Sequence, residues 1–167
     1  MKSTLIKYSL FGFLSGLLLF LILFQFTESV SEGVHMAISY FTMFVLALLV
    51  ISATKQLKRN RGQINFKQAF TLSFLVCIAI SLGVGLADYL FTAVIEPDFI
   101  DKYITKTLDT MSKTLSPEEF NNQKAAFLQQ MVTFGSSIAM AFFMVLNVCT
   151  IGLIVSLITS YKFSKNS

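Results

Sequence analysis

Apolar residues along this chain gather in four long stretches that charged residues hardly interrupt. The first three cover residues 8–26, 34–54 and 68–95, and the fourth lies within 125–161. A helix rises 1.5 Å per residue, so about 20 residues span the roughly 30 Å apolar core of a lipid bilayer. The pattern therefore predicts an all-α fold with four transmembrane helices in a bundle.

The fourth stretch is longer than one membrane crossing requires. No charged residue occurs from Ala125 to Tyr161. Either its first part stands outside the bilayer or the chain bends near Gly135. We place its membrane-spanning part at residues 137–161. The four spans and their connections then form one membrane domain over residues 1–167.

The first stretch has a second interpretation, as a secretory signal peptide. Lys2 and Lys7 precede it, and the small residues Ser29 and Ser31 follow it. However, it is longer than the roughly 7–15 residues of a signal's apolar region, and no Ala-x-Ala-like cleavage site follows. We therefore expect it to be retained as the first span.

The composition also indicates a membrane protein. Apolar residues make up 54% of the chain and charged residues 13%, whereas soluble domains carry about 25% charged residues. These values argue against a soluble enzyme or a disordered chain. A disulfide scaffold is excluded because Cys77 and Cys149 both lie inside apolar stretches. We interpret both as small core residues.

The basic residues predict the orientation, because cytoplasmic segments of membrane proteins are rich in Lys and Arg. One side carries no acidic residue and nine basic ones, which are Lys2, Lys7, Lys55, Lys58, Arg59, Arg61, Lys67, Lys162 and Lys165. The connecting segments on the other side hold eight acidic residues and four lysines. We therefore expect both termini in the cytoplasm. The net charge of +4 follows from this topology and gives no reason to expect nucleic acid as a partner.

Residues 96–131 are polar enough for water and predict an external helical hairpin. Pro97 suits the first position of a helix. Apolar residues then recur at helical spacing, and those that we predict as a docking face are Phe99, Tyr103, Ile104 and Leu108. A second helix begins with the capping-box sequence Ser-Pro-Glu-Glu at residues 116–119.

The apolar positions of the second hairpin helix run without a helix breaker into the fourth stretch. We therefore expect the fourth helix to begin outside the membrane. The apolar faces of the hairpin could pack on each other, on the outer surface of the lipid bilayer or on another protein.

Three features together resemble a known family. They are the four spans, a basic connector with Gly62 and the Phe-Lys-Gln-Ala-Phe sequence of residues 66–70, and the Pro-Asp-Phe-Ile-Asp-Lys-Tyr sequence of residues 97–103. The chain resembles, over nearly its whole length, a bacterial integral membrane family known as domain of unknown function 4199. The resemblance implies a four-helix protein of the bacterial inner membrane. It carries no assigned activity, substrate or catalytic residue.

Asp88 is the one Asp, Glu, Lys or Arg residue inside a predicted span, and such residues are costly enough to be functional candidates. It follows Gln68 by about 30 Å of helix, which places its carboxylate near the external headgroups and within reach of water. Gln25 and His35 lie at external ends of other spans, and Asp88 could hold His35 in its charged form. The alternative is that Asp88 anchors its helix at the interface or bonds to a neighbouring helix.

Asn147 is the second polar candidate and lies nearer the bilayer midplane, about 21 Å along the helix from Tyr161. Its carboxamide needs a partner, and we expect that partner on another helix, with a substrate or ion as the alternative. Asp88 and Asn147 differ in predicted depth by several ångströms, so we do not pair them.

Small residues at intervals of four mark predicted helix contacts. The sets are Gly12 with Gly16, Ser81 with Gly85, and Gly152 with Ser156 and Ser160. This spacing places small side chains on one face of a helix, so that two backbones can approach closely.

Signatures of common enzyme classes are missing from the sequence, including the GxSxG, HExxH, Walker and CxxC patterns. The lone His35 excludes a histidine-rich metal site. We expect no catalysis, cofactor or metal. The first functional hypothesis is a non-enzymatic inner-membrane component that docks a membrane protein, or a second copy of itself, through the external hairpin and the small-residue helix faces. The alternative is a small transporter or channel subunit with a pathway lined by Asp88, His35 and Asn147.

Overall fold

A computed structural model describes residues 1–25 and 32–165, and within these the side chains of 1–23, 40 and 43–165. In chain order the elements are α1 (Lys2–Gln25), α2 (Glu32–Arg61), α3 (Phe66–Leu90), a π-helical turn (Phe91–Ile95), α4 (Phe99–Thr114), α5 (Pro117–Phe134) and α6 (Ser137–Lys165). Every regular element in these ranges is helical, which confirms the all-α prediction.

Three helical segments are long and apolar enough to cross a membrane. They are Lys2–Leu23, Phe66–Ile95 and Ser137–Lys165, and they contain most of the first, third and fourth predicted spans. The second predicted span, residues 34–54, lies within the 30-residue helix α2. Several side chains in the first part of α2 lie outside the described residues.

The central helix of the fold is α3. It packs against α1 and α6, and α2 contacts all three. Val76, Ile80 and Val84 of α3 are buried in the core with Phe20 of α1 and Val148 of α6. In a lipid environment such contacts stabilise the fold through close packing, because lipid chains are as apolar as the side chains themselves.

The helices α1 and α3 run parallel. Gly12 lies against Ile80, and Gly16, one turn further along α1, lies against Val84. The N-terminal ends of α1 and α3 therefore lie at the same end of the bundle.

The helices α3 and α6 run antiparallel. Ser73 lies 3.3 Å from Ser160 between hydroxyl oxygens, and further along α3 the residue Gly85 lies against Val145. The C-terminal end of α6 therefore joins the N-terminal ends of α1 and α3.

Local caps fix the connection between α2 and α3. Gly62 follows α2 with a φ of 76°, in the left-handed region that glycine adopts without steric cost. Asn65 then caps α3, and its side chain accepts a hydrogen bond from the Gln68 N–H at 2.9 Å. The turn and the cap together allow only a short connection between these two helices.

The predicted capping box is present at the start of α5. The Ser116 hydroxyl accepts a hydrogen bond from the Glu119 N–H at 3.4 Å, and the Glu119 carboxylate accepts one from the Ser116 N–H at 3.2 Å. The Ser116 hydroxyl also donates to that carboxylate at 2.7 Å. These bonds favour the charged form and lower the pKa of Glu119 below its usual value.

The boundary between α5 and α6 corrects one expectation. The prediction of one continuous helix from the external segment into the fourth span is wrong, because Gly135 and Ser136 interrupt the helix. The alternative prediction, a bend near Gly135, agrees with this interruption. The Gly135 N–H donates to the Met131 carbonyl at 2.8 Å and closes α5. The Ser136 hydroxyl accepts a hydrogen bond from the Ala139 N–H at 3.2 Å and starts α6. This Gly-Ser pair thus supplies a stop signal followed by a start signal.

Candidate functional site

The π-helical turn extends α3 directly beyond Asp88. The Glu96 N–H donates to the carbonyl of Phe91, five residues earlier, at 2.8 Å. The Thr92 hydroxyl donates to the Asp88 carbonyl at 2.9 Å. A π turn accommodates one residue more than an α-helical turn and often occurs at a functional site. This geometry indicates a candidate functional site at the end of α3.

Asp88 is buried, with 6% of its surface exposed. The expected access of its carboxylate to water stays a prediction. The depth along α3 came from counting residues, whereas burial depends on which face of α3 the side chain occupies, and Asp88 follows Ser81 and Gly85 on the face toward α6. Its Oδ2 atom is buried and has no hydrogen-bond partner within the described ranges.

Asp88 lines a cavity of about 390 Å³ that four helices enclose, and we call it the Asp88 cavity. The other lining residues are Tyr103 of α4, Gln130, Met131 and Phe134 of α5, and Met140, Phe143, Met144 and Asn147 of α6. Its volume falls within the range of about 300–1,000 Å³ that is typical of small-molecule sites. The interruption between α5 and α6 lies beside it, since Phe134 and Met140 flank Gly135 and Ser136.

The walls of the Asp88 cavity are apolar on most sides and polar at a few points. Thioether and phenyl groups of α5 and α6 form the apolar part, and the Phe134 and Phe143 rings meet edge to face at 5.2 Å between centroids. Asp88 is the one charged residue among the described residues that line it. Such a site can hold an apolar group and bind a hydrogen-bond donor at one point.

Asn147 lines the same cavity as Asp88. In the antiparallel contact of α3 and α6, Cys149 lies opposite Ser81 and Val145 opposite Gly85, so Asn147 lies at a different level from Asp88 along the bundle. The Asn147 amide donates to the Phe143 carbonyl of its own helix at 3.1 Å, and not to another helix as the sequence predicted. The residue is exposed on α6, so its amide can also reach a bound molecule.

The remaining two polar candidates cannot be placed in the site. Gln25 ends α1 and His35 lies in the first turn of α2, but both side chains lie outside the described residues. The proposed pairing of His35 with Asp88 therefore stays a prediction.

Glycines form the contact between α1 and α3. A β-carbon on Gly12 would lie 2.8 Å from the Ile80 side chain, and one on Gly16 would lie 2.7 Å from the Ile80 carbonyl oxygen. Gly83 of α3 is equally close, because a β-carbon there would overlap the Phe13 carbonyl. The sequence analysis missed Gly83. Gly83 lies two residues from both Ser81 and Gly85, so it belongs to a second face of α3. A small residue on that second face was the signal in the sequence for a second close helix contact.

Hydroxyl and thiol groups form the contact between α3 and α6, and we call this set the polar seam. Its pairs are Ser73 with Ser160 at 3.3 Å, Cys77 with Ser156 at 3.4 Å, and Ser81 with Cys149 at 3.0 Å. Gly152 lies against Cys77, and Gly85 against Val145. The predicted packing residues of these two helices thus lie at one contact. Ser73 was not among the residues predicted from the sequence, although Ser73, Cys77, Ser81 and Gly85 recur every four residues.

The predicted docking face of α4 is partly occupied by contacts within the chain. The Phe99 ring meets the Phe91 ring edge to face at 5.3 Å, and the Tyr103 ring lies 6.4 Å from the Phe127 ring between centroids. Ile104 and Leu108 are half-buried on the same helix. No residue of α4 or α5 is fully buried.

Across the described part of the chain, no three His, Cys, Asp or Glu side chains come together as a metal site.

Comparison with protein families gives a match to a family described as a protein of unknown function, DUF4199, over residues 7–165. Comparisons with curated proteins and with solved structures gave no match. The match covers almost the whole chain and agrees with the resemblance in the connector and in the external segment. The chain belongs to the DUF4199 family.

Proposed function

We propose that this chain is a non-enzymatic integral membrane protein that binds a small ligand in the Asp88 cavity, on the external side of the bacterial inner membrane. One observation carries the proposal: the Asp88 Oδ2 atom is buried within an apolar helix and lacks a partner within the described ranges. An unpaired polar group in such surroundings costs on the order of several kcal/mol. A ligand in the cavity that donates a hydrogen bond to the Asp88 carboxylate would offset that cost.

The polar groups that serve helix packing in this protein differ from Asp88, and the polar seam supports the proposal for that reason. Its hydroxyls and thiols, such as those of Ser81 and Cys149, pair across the helix contact. Asp88 follows Ser81 and Gly85 on the same face of α3, yet its Oδ2 has no such partner. A carboxylate that served helix packing alone would be expected to find a donor on α6, as the seam residues do.

We propose four spans, with α2 as the second, and both termini in the cytoplasm. The directions of the helices support this orientation. The N-terminal ends of α1 and α3 and the C-terminal end of α6 lie together, and the Lys58 ammonium of α2 donates to the Phe163 carbonyl at 3.1 Å. The nine basic residues named above therefore gather at one end of the bundle, which suits a cytoplasmic face.

The Asp88 cavity lies at the opposite end. Asp88 is about 10 Å of helix from Ile95, where α3 and its π turn end, and Asn147 is about 15 Å from the start of α6. This placement favours uptake of the ligand from the external side. A small transporter or channel subunit is the function class that best fits a polar residue at this depth.

The test is the native mass of the tagged full chain, purified in mild detergent from its native host. We expect a bound small molecule on the parent and on Asp101→Asn, which neutralises an exposed carboxylate of α4. We expect its loss from Asp88→Asn. A parent that carries nothing beyond ordinary phospholipid, or the same bound mass on all three proteins, would contradict the proposal.

The second candidate function is docking of a membrane protein, or of a second copy, on the external helices. The supporting observation is that α4 carries apolar residues on one face while none of its residues is fully buried. Phe99 and Tyr103 already make ring contacts, so Ile104 and Leu108 are the residues that remain for a partner.

Co-purification from the native host tests docking. Leu108→Lys should release a stoichiometric protein partner or a second copy, and the nearby Thr105→Lys, on an exposed position of α4, should retain it. Equal recovery of the partner with both variants would contradict this second candidate.

A further inference from the structure

The charge in the Asp88 cavity limits what can bind there. Among the described lining residues, Asp88 is acidic and none is basic. An anionic ligand would place a second negative charge beside this carboxylate and would find no cation to balance it. A neutral ligand could donate a hydrogen bond, but a cationic donor forms a charge-assisted bond of roughly twice the strength. The cavity therefore favours a cation.

The apolar walls exclude a hydrated inorganic ion as the preferred cation. Hard cations such as Ca²⁺ require about six to eight oxygen ligands, and Asp88, Tyr103, Gln130 and Asn147 supply few side-chain oxygens for a space of about 390 Å³. Thioethers and aromatic rings instead attract organic groups, and a ring face also attracts an organic cation. The ligand should therefore carry an organic body next to its positive group.

The position of the cavity indicates how such a molecule enters. Phe143 of α6 is 41% exposed and Tyr103 of α4 is 44% exposed, and both line the cavity. One side of the cavity is therefore open beside the external ends of the helices. A molecule with an apolar tail concentrates at this depth of a bilayer. The absence of a basic lining residue argues against a lipid headgroup that carries a phosphate, since the phosphate would lack a partner.

We infer that the Asp88 cavity binds a monocationic amphiphile, a primary amine on an apolar chain without phosphate, with its ammonium group on Asp88 and its chain against the methionines and phenylalanines. This inference rests on the proposed function, of which it names the ligand class. The ammonium supplies a hydrogen-bond donor to the Asp88 carboxylate, which lines the cavity and lacks a donor at Oδ2 among the described residues.

The chain contains no tryptophan, so one substitution creates a single fluorescent reporter. Phe143→Trp places it in the cavity wall, and Phe142→Trp places it on the adjacent residue of α6, which does not line the cavity. Each full-length reporter protein is placed in phosphatidylcholine nanodiscs and titrated with octylamine, octan-1-ol and octanoate at neutral pH.

We expect octylamine to give a saturable change with Phe143→Trp and only a weak, linear change with Phe142→Trp. Octan-1-ol should bind about tenfold more weakly, and octanoate should give no saturation, because one charge-assisted hydrogen bond accounts for about a factor of ten. Adding Asp88→Asn should weaken octylamine binding by a similar factor, and adding Asp101→Asn should not.

The outcomes separate the two proposals. Saturable binding of octan-1-ol or octanoate as tight as that of octylamine overturns the ligand class and leaves ligand binding in the cavity intact. No saturable change with any of the three probes overturns the ligand class, and the native-mass measurement then decides the proposed function independently. The comparison of probes uses one reporter protein, so it remains decisive even if the Asp88→Asn protein fails to fold.

Discussion

The Lys58 ammonium donates a hydrogen bond to the main-chain carbonyl of Phe163, with 3.1 Å between nitrogen and oxygen. This bond joins the last turns of α2 and α6, where unpaired carbonyls carry the negative end of the helix dipole. It connects two of the basic segments that the sequence assigns to the cytoplasm. The end of the bundle opposite the Asp88 cavity is therefore held by a specific contact as well as by apolar packing.

Lys58→Met should lower the free energy of unfolding by about 1 kcal/mol, because it removes a charged donor from carbonyls at a helix end. Unfolding by sodium dodecyl sulfate in mixed micelles measures this change. Lys55→Met is the matched control, since Lys55 lies exposed on the same helix. Equal destabilisation by the two substitutions would show that the bond to Phe163 contributes nothing.

Gly83→Ala should destabilise the packing of α1 on α3 by about 1–3 kcal/mol, as overpacking does elsewhere. The new methyl group would overlap the Phe13 carbonyl, which is main chain and cannot rotate away. The thermal midpoint in detergent measures the effect. Gly62→Asn is the control, because Gly62 has open space around it and Asn tolerates a positive φ. An unchanged midpoint for Gly83→Ala would contradict the close approach of the two helices.

Ser156→Leu should separate α6 from α3, because Ser156 is fully buried beside Cys77 and leaves no space for a larger side chain. The expected loss is again about 1–3 kcal/mol in unfolding free energy. Thr150→Leu makes a similar change on an exposed position of α6 and should be tolerated. If both variants unfold under the same conditions, the polar seam does not determine the stability of this contact.

Acidification should loosen the first turn of α5. The pKa of Glu119 is lowered in the folded protein by its bonds to Ser116. The stabilisation is therefore present above the unfolded pKa of a glutamate and is lost as the pH falls through the lower, folded value. Hydrogen exchange of the Glu119 amide, corrected for the intrinsic effect of pH, should become faster over that interval.

Ser116→Ala should increase exchange of the same amide about fivefold at neutral pH, as expected for loss of an N-cap. It should also reduce the additional increase in acid, since the hydroxyl that lowers the pKa of Glu119 is gone and only the main-chain N–H of residue 116 still donates to its carboxylate. Amides in the last turn of α5 provide the internal control. A pH response of undiminished size in Ser116→Ala would assign it to another group.

The sequence predicted those features that depend only on residues close together along the chain. Apolar stretches predict where the long helices lie, since only their length and charge matter. The capping box at Ser116 was predictable because its residues are neighbours in sequence. The interruption at Gly135 was an open alternative, and the Gly-Ser pair gave a local signal that the long apolar run obscured.

The cavity required information that a single sequence does not carry. Counting residues gives the depth of Asp88 along α3. It does not predict that Tyr103, Phe134 and Asn147 line a cavity together with Asp88. That arrangement depends on the antiparallel register of α3 and α6 and on the direction in which α4 leaves α3 and α5 joins α6.

The π-helical turn at Phe91–Ile95 changes the direction, around the axis of α3, in which the chain leaves this helix. It contains one residue more than a regular turn, and one residue corresponds to about 100° of rotation around a helix axis. The chain leaves this turn through residues 96–98 and returns as α4, whose Tyr103 lines the cavity beside Asp88. A single additional residue in the main chain thus changes the side of α3 from which the chain departs toward α4.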